Sequence, residues 1–116
     1  MPPLSDFWDY IDELVANSSV VIDRPRNTAH PKYPQHTYPL DYGYLKGTSS
    51  GDGDGIDVWV GTVDNRSVVG LLCTVDLRKR DMEVKLLLGC SPAEIEIVQD
   101  FLTTLKMGHR LLRRDS

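Results

Sequence analysis

The chain has 116 residues, a formal net charge of −4 and two cysteines. This length suffices for one hydrophobic core, so we expect a single domain over residues 1–116. The acidic balance argues against a nucleic-acid binder. Because no apolar run reaches about eighteen residues and no basic leader precedes an apolar stretch, we expect a cytoplasmic protein without a membrane partner.

The first predicted element is an amphipathic helix that begins after Ser5, a residue suited to capping a helix. Apolar side chains recur at helical spacing and predict one buried stripe, formed by Phe7, Ile11, Leu14 and Val15. The Val-Val-Ile run at residues 20–22 then predicts a short buried strand that ends at Asp23.

Residues 24–39 contain four prolines, which fix φ and cannot donate to a sheet, so an ordered loop is predicted. The loop carries four potential cations: Arg24, Arg26, His30 and Lys32. For Arg26 and His30 taken singly, a solvated loop position is the better explanation. For Lys32 taken alone, solvent exposure and a binding role are equally well supported.

Three tyrosines follow at even positions, Tyr38, Tyr42 and Tyr44, and share one face if the segment is extended. Aromatic side chains at this spacing usually belong to a core. The strand predicted at residues 56–60 places Val58 and Val60 on one face and Asp57 and Trp59 on the other.

Between these two segments lies a glycine-rich turn with three carboxylates, Asp52, Asp54 and Asp57. Like charges this close repel one another, which favours a site for a cation that prefers oxygen ligands, such as Mg²⁺, Mn²⁺ or Ca²⁺. A simple surface turn explains the composition about equally well. An EF-hand is excluded, because Ile56 and Val63 occupy positions that require oxygen ligands.

A second apolar strand, at residues 68–75, ends at Asp76 and leads through a charged hairpin connection into a strand at residues 83–88. Alternation places Glu83 and Lys85 on the same face of that strand. A helix is predicted from Ser91, with a capping box completed by Glu94 and an end near Gly108, and residues 113–116 are expected to fray. Cys73 and Cys90 are predicted to be buried free thiols.

The order of elements predicts an α+β fold, mainly β: a small antiparallel barrel of five strands flanked by an N-terminal and a C-terminal helix. A parallel α/β arrangement is not expected, because no helix lies between the strands.

Two motifs resemble a known family. Tyr38-Pro39-x-Asp-Tyr42-Gly43-Tyr44, followed by Asp52-Gly53-Asp54-Gly55-Ile56-Asp57-Val58, is similar to the signature of soluble, magnesium-dependent inorganic pyrophosphatases. Gly55 replaces the proline usual in that family. The resemblance extends from about Val20 to Leu88 and is that of a shortened bacterial member, which implies an OB-like barrel.

The resemblance implies roles for individual residues. Asp54 matches the carboxylate that accepts the proton of the attacking water, and Tyr42 matches a tyrosine that hydrogen-bonds near it. Lys32 and Lys85 match phosphate-binding lysines. The implied metal ligands are Asp52, Asp57, Asp76, Asp23 and Glu83, with Asp81 as the competitor of Glu83.

The chain also departs from the family pattern. The hairpin that normally follows the first lysine is mostly missing, and the arginine it contributes has no direct counterpart, although Arg24 or Arg26 could reach the same phosphate. The Tyr-Lys pair of the family's C-terminal helix is not visible, with Lys106 its nearest substitute. Nearly all of the family's metal ligands therefore have counterparts in this chain, whereas several of its phosphate-binding residues do not.

The resemblance implies hydrolysis of inorganic pyrophosphate to two phosphates by metal-activated water, with Mg²⁺ or Mn²⁺ as cofactor, in a homo-oligomer. Two alternatives remain open. One is a diverged metal-dependent phosphohydrolase that acts on another phosphoanhydride, and the other is a non-catalytic relative that binds metal or phosphate.

Overall fold

Six strands form one sheet in the computed structural model, which describes residues 6–51 and 53–115. Two helices pack on this sheet. In chain order the elements are α1 (Phe7–Ala16), β1 (Ser19–Arg24), β2 (Asp41–Lys46), β3 (Ile56–Val60), a 3-10 turn (Asp64–Arg66), β4 (Val68–Asp76), β5 (Asp81–Leu88), α2 (Pro92–Thr104) and β6 (Gly108–Arg113).

The strand order across the sheet is β1-β2-β3-β5-β4-β6. The β4–β5 hairpin inserts β5 beside β3, so β3 and β5 run parallel, whereas every other pair of neighbours is antiparallel. The register sets Asp57 opposite Lys85 on one side and opposite Tyr44 on the other. The centre of the sheet thereby places charged and aromatic side chains next to each other.

Both faces of the sheet are covered. Trp59 and Leu87 pack in a cluster with the α2 residues Ile95, Val98 and Leu102. The alternate residues of β3 and β5 pack in a second cluster with Ile11 of α1: Val58, Val60, Leu86 and Leu88. Because each helix covers one face, the central strands need apolar residues at consecutive positions.

Helix α1 differs in detail from its prediction. Asp6, whose side chain accepts a hydrogen bond from the Asp9 amide, is the capping residue, and Ser5 lies outside the described residues. Ile11 is buried as expected, but Phe7 and Leu14 are exposed. Val15, at position i+4 from Ile11, packs on the core as predicted, and the helix is rotated so that Trp8, at position i−3, packs there in place of Phe7 and Leu14.

Helix α2 begins as predicted, with the reciprocal hydrogen bonds of a capping box between Ser91 and Glu94. It ends at Thr104, before Gly108. The segment that follows is strand β6, which pairs with β4, so Arg113 is part of the sheet rather than a frayed end. The Arg114 guanidinium then bonds both carboxylate oxygens of Asp12, at 2.7 and 2.6 Å, and ties this segment to α1.

The predicted α+β, mainly β class with its two helices is confirmed. The sheet has six strands rather than five, it is open with β1 and β6 as its edges, and it contains one parallel pair. Cys73 and Cys90 are free, and only Cys90 is fully buried. Within residues 6–51 and 53–115, no helix is long and apolar enough to cross a bilayer.

Candidate functional site

A cavity of about 580 Å³ lies on the α2 face of the sheet. We call it the charged cavity, because six carboxylates of residues 6–51 and 53–115 line it: Asp23, Asp54, Asp57, Asp76, Asp81 and Glu83. They come from β1, the turn before β3, β3 itself and the β4–β5 hairpin. The structure thus brings together carboxylates that are separated by up to 60 positions in the sequence.

Cations and aromatic side chains also line the cavity. Arg24, Lys32, Lys85 and Tyr42, all predicted as site residues, line the charged cavity, whereas Arg26 does not. The backbone N–H of Arg26 instead donates to the Asp41 carboxylate at 2.8 Å. Asp52, the remaining predicted residue, lies outside the described part of the chain.

Lys85 is the centre of a network of side chains in the cavity, and only 5 % of it is exposed. Its Nζ donates to Tyr42 Oη at 2.8 Å, to Asp57 Oδ2 at 3.0 Å and to Glu83 Oε2 at 2.9 Å. An ammonium has three protons, so these bonds use all of its donors. Glu83 and Lys85 share a face, as alternation predicted, and the parallel pairing of β3 with β5 adds Asp57.

The network shifts the pKa of two of its members. Burial alone would lower the pKa of Lys85, but Tyr42, Asp57 and Glu83 outweigh burial and raise the pKa above its ordinary value. Burial raises the pKa of Tyr42, and the Asp57 carboxylate adds to the rise, while Lys85 opposes it. At neutral pH Lys85 is therefore charged, and Tyr42 keeps its phenolic proton.

An aromatic wall borders this network. Tyr38, Tyr42 and Trp59 lie within 5.8 Å of one another, measured between ring centroids. The Arg24 guanidinium lies over Tyr38 and Tyr42, and its Nη1 donates to Tyr38 Oη at 2.6 Å. Burial opposes the charge on Arg24, yet the bond to Tyr38 and the neighbouring groups raise its pKa. Arg24 is thus charged and oriented by the wall.

Asp76 caps the turn between β4 and β5. Its Oδ1 accepts the backbone N–H groups of Arg78 at 2.9 Å and Lys79 at 3.2 Å. Burial would raise the pKa of Asp76, but these two bonds and the charge of Arg78 lower it, so the group is a carboxylate at neutral pH. One of its oxygens is therefore committed to the turn.

His30 organises the loop that carries Lys32. Its Nδ1 accepts the backbone N–H groups of Lys32 at 3.0 Å and Tyr33 at 3.2 Å, and its ring stacks on Tyr38. Burial, followed by the charge of Arg24, lowers the pKa of His30. The imidazole is accordingly neutral at pH 7, with its proton on Nε2.

Three basic residues that line the cavity were not predicted as site residues from the sequence: His30, Arg78 and Lys79. The charged character of residues 77–81 was visible in the sequence. The sequence pattern did not show the direction in which the hairpin folds, because that direction depends on the long-range pairing of β5 with β3.

The donor set fits a divalent cation that prefers oxygen, because every acidic group in the cavity is a carboxylate. Asp57 and Glu83 already share one positive charge, the Lys85 ammonium. Among residues 6–51 and 53–115, no three acidic, histidine or cysteine side chains form a group that could hold an ion. Since Asp52 lies outside those ranges, the ligand set of Asp52, Asp57 and Asp76 stays a prediction.

Comparison of the sequence with known families matches residues 16–87 to the family described as inorganic pyrophosphatase. The inorganic pyrophosphatase of Mycoplasma genitalium is 28% identical over an alignment that covers 78% of this chain and 56% of that protein. The chain therefore spans about half the length of the curated relative it matches.

Solved structures are similar in fold. An inorganic pyrophosphatase from Helicobacter pylori superposes with a TM-score of 0.62 at 19% identity, and the match covers 84% of each chain. One from Coxiella burnetii gives a TM-score of 0.60 at 17% identity, covering 81% of this chain and 82% of that one. The family match covers more than half of the sequence. The chain belongs to the inorganic pyrophosphatase family.

Proposed function

We propose that the protein hydrolyses inorganic pyrophosphate to two phosphates and that the charged cavity is its active site. The observation that carries the proposal is the meeting of six carboxylates with Arg24, Lys32 and Lys85 in one cavity. Such a mixture of charges suits a polyanionic substrate that arrives with metal cations. Family membership supports the same reaction.

The proposed ligands of Mg²⁺, or of Mn²⁺ in its place, are Asp52, Asp57, Asp76, Glu83, Asp23 and Asp81. When bound, the metal lowers the pKa of a coordinated water and offsets the charge of the phosphates. Lys85 bonds one oxygen of each carboxylate, Asp57 Oδ2 and Glu83 Oε2, and a carboxylate can accept several bonds. The two groups therefore retain acceptor capacity beside the ammonium.

The remaining steps fall to side chains of the chain. Asp54 accepts the proton of the attacking water, and Tyr42, which is protonated at neutral pH, donates a hydrogen bond beside it. Lys32 and Arg24 offset charge on the phosphate oxygens. Lys85 offsets the charge of Asp57 and Glu83 and contributes to the field that the phosphates meet.

The test is phosphate release from pyrophosphate, measured with Mg²⁺, with Mn²⁺ and in excess chelator. We expect release that requires metal and is lost in Asp54→Asn but not in the control Asp64→Asn, an exposed residue outside the cavity. Faster release from nucleoside triphosphates would favour the diverged phosphohydrolase. Metal or phosphate binding without any release would favour a non-catalytic relative.

We also propose a compartment and an oligomeric state for the protein. We place the reaction in the cytoplasm, consistent with two free cysteines, and in a homo-oligomer of pyrophosphatase type. Size-exclusion chromatography with light scattering tests the assembly, and a molecular mass equal to one chain would contradict it.

A further inference from the structure

We infer that Arg78, in the turn between β4 and β5, binds phosphate oxygens of the substrate. The inference rests on the proposed function and supplies a residue that neither the motifs nor the family resemblance indicates. Arg78 lines the charged cavity, and half of its side chain, 51%, is exposed.

Few basic side chains in the cavity are available to a substrate. All three donors of Lys85 are used by Tyr42, Asp57 and Glu83. Arg26 does not line the cavity. Six carboxylates do line it, so a diphosphate needs protein cations in addition to metal. Arg24 and Lys32 remain, together with the two cations of the β4–β5 turn, Arg78 and Lys79.

Contacts with neighbouring segments hold the Arg78 side chain in place. Its Nη2 donates to the Leu105 carbonyl, at the C-terminal end of α2, at 2.7 Å. Its guanidinium carbon lies 4.9 Å from the centre of the Tyr33 ring. Its backbone N–H is bound by Asp76. Two separate segments therefore orient the guanidinium at the cavity, and Asp76 fixes the backbone of the turn that carries it, which reduces the entropy lost when Arg78 binds a ligand.

The Arg78 guanidinium retains N–H donors for a ligand. A guanidinium has five N–H groups, and one of them bonds Leu105. The nearest carboxylate contact, Nε to Asp76 Oδ1, is 3.9 Å, too long for a hydrogen bond. Several donors of Arg78 thus remain for a ligand. These donors form a planar fork that can bond two phosphate oxygens side by side. A lysine ammonium is a compact point charge and lacks this geometry.

Arg78 lies beside the loop that carries Lys32. Arg78 stacks on Tyr33, the residue directly after Lys32, and both Lys32 and Arg78 line the cavity. The loop at residues 30–33 and the β4–β5 turn therefore place two cations at neighbouring parts of the rim. In this chain the β4–β5 turn supplies a phosphate-binding arginine, Arg78, and the shortened loop after Lys32 does not.

The experiment measures binding of methylenediphosphonate, a diphosphate analogue that water does not cleave, by calorimetry in the presence of Mg²⁺. We expect Arg78→Met to raise Kd by roughly tenfold or more, since a hydrogen bond to a charged group contributes that much. Arg80→Met removes the same charge two positions away, at a residue that does not line the cavity, and is expected to change Kd less than twofold.

A second variant keeps the charge but removes the fork. Arg78→Lys is expected to give a Kd between those of the wild type and Arg78→Met, and it serves as the test if Arg78→Met does not fold. Equal Kd values for Arg78→Met and Arg80→Met, or an unchanged Kd in Arg78→Lys with Arg78→Met unfolded, would overturn the inference. A lowered Tm with unchanged Kd would show a purely structural role and would overturn it too.

The inference and the proposed function fail differently. If the wild type binds the analogue through Arg78 but releases no phosphate from pyrophosphate, hydrolysis is wrong and Arg78 keeps its role. If the wild type releases phosphate and Arg78→Met retains the same KM and kcat as Arg80→Met, the role of Arg78 is wrong and hydrolysis stands. A wild type that does not bind the analogue contradicts the inference directly.

Discussion

Lys85 Nζ lies 2.8 Å from Tyr42 Oη, and this hydrogen bond joins β5 to β2 across the intervening strand β3. Asp57 on β3 completes the bridge by accepting from the same ammonium. The sequence motif suggested Lys85 as a direct phosphate ligand. Its complete set of protein partners indicates that it also balances the carboxylates at the centre of the sheet.

Lys85→Met is expected to lower the free energy of unfolding by about 3 kcal/mol, because it leaves two half-buried carboxylates without their cation. Urea unfolding measures the change. Lys79→Met is the control, since the ion pair of Lys79 with Asp81 is long, 3.8 Å, and exposed, and its loss should cost less than about 1 kcal/mol. Equal losses in the two variants would contradict the network.

Gly43→Ala is expected to destabilise the protein by at least about 2 kcal/mol, since overpacking a tight site forces the backbone to move. A Cβ at this position would overlap the Val21 carbonyl oxygen in the neighbouring strand. Thermal unfolding followed by circular dichroism provides the measurement. Gly51→Ala, where a Cβ meets none of the described residues within 4 Å, should change stability little, and a similar loss there would count against the steric explanation.

Glu94→Gln is expected to cost about 1 kcal/mol at pH 7, because the carboxylate accepts from Ser91 N and from Thr62 N and Oγ1. Burial would raise the pKa of Glu94, but these bonds outweigh it and lower the pKa below 4.5. The stabilisation is therefore present above pH 4.5 and is lost as the pH falls through the lower folded value.

Urea unfolding at several acidic pH values tests this assignment. The difference in stability between the wild type and Glu94→Gln should shrink as the pH falls below 4.5. Glu96→Gln, on the exposed side of the same helix, provides the control. A difference that stays constant with pH would contradict the role of the Glu94 charge.

His30 is expected to destabilise the fold when it is protonated. The pKa of His30 in the folded protein is below 6.5, so the unfolded chain takes up the proton first as the pH falls. Stability is therefore full above pH 6.5 and decreases through the folded pKa, because a protonated Nδ1 cannot accept from Lys32 and Tyr33. His30→Asn should reduce this slope.

Nuclear magnetic resonance of the imidazole nitrogens gives an independent check. We expect a neutral ring with the proton on Nε2 at pH 7. A proton on Nδ1 at that pH would show that the two backbone bonds are not made.

The sequence by itself determined the features that depend on neighbouring residues. The capping box of Ser91 and Glu94 lies within one helical turn, and the alternation of Glu83 and Lys85 follows from strand geometry. The paired tyrosine and aspartate motifs contain several of the residues that line the cavity, among them Tyr42, Asp54 and Asp57. Each of these signals is carried by a few positions close together in the chain.

Only the tertiary structure decided which residues meet across the sheet. The insertion of β5 between β3 and β4 gives Lys85 its partners, pairing with β4 makes residues 108–113 a strand, and the fold of the hairpin brings Arg78 to the cavity. These contacts join distant segments, and their stability comes from burial and register shared over the whole sheet. Local propensity does not contain that information.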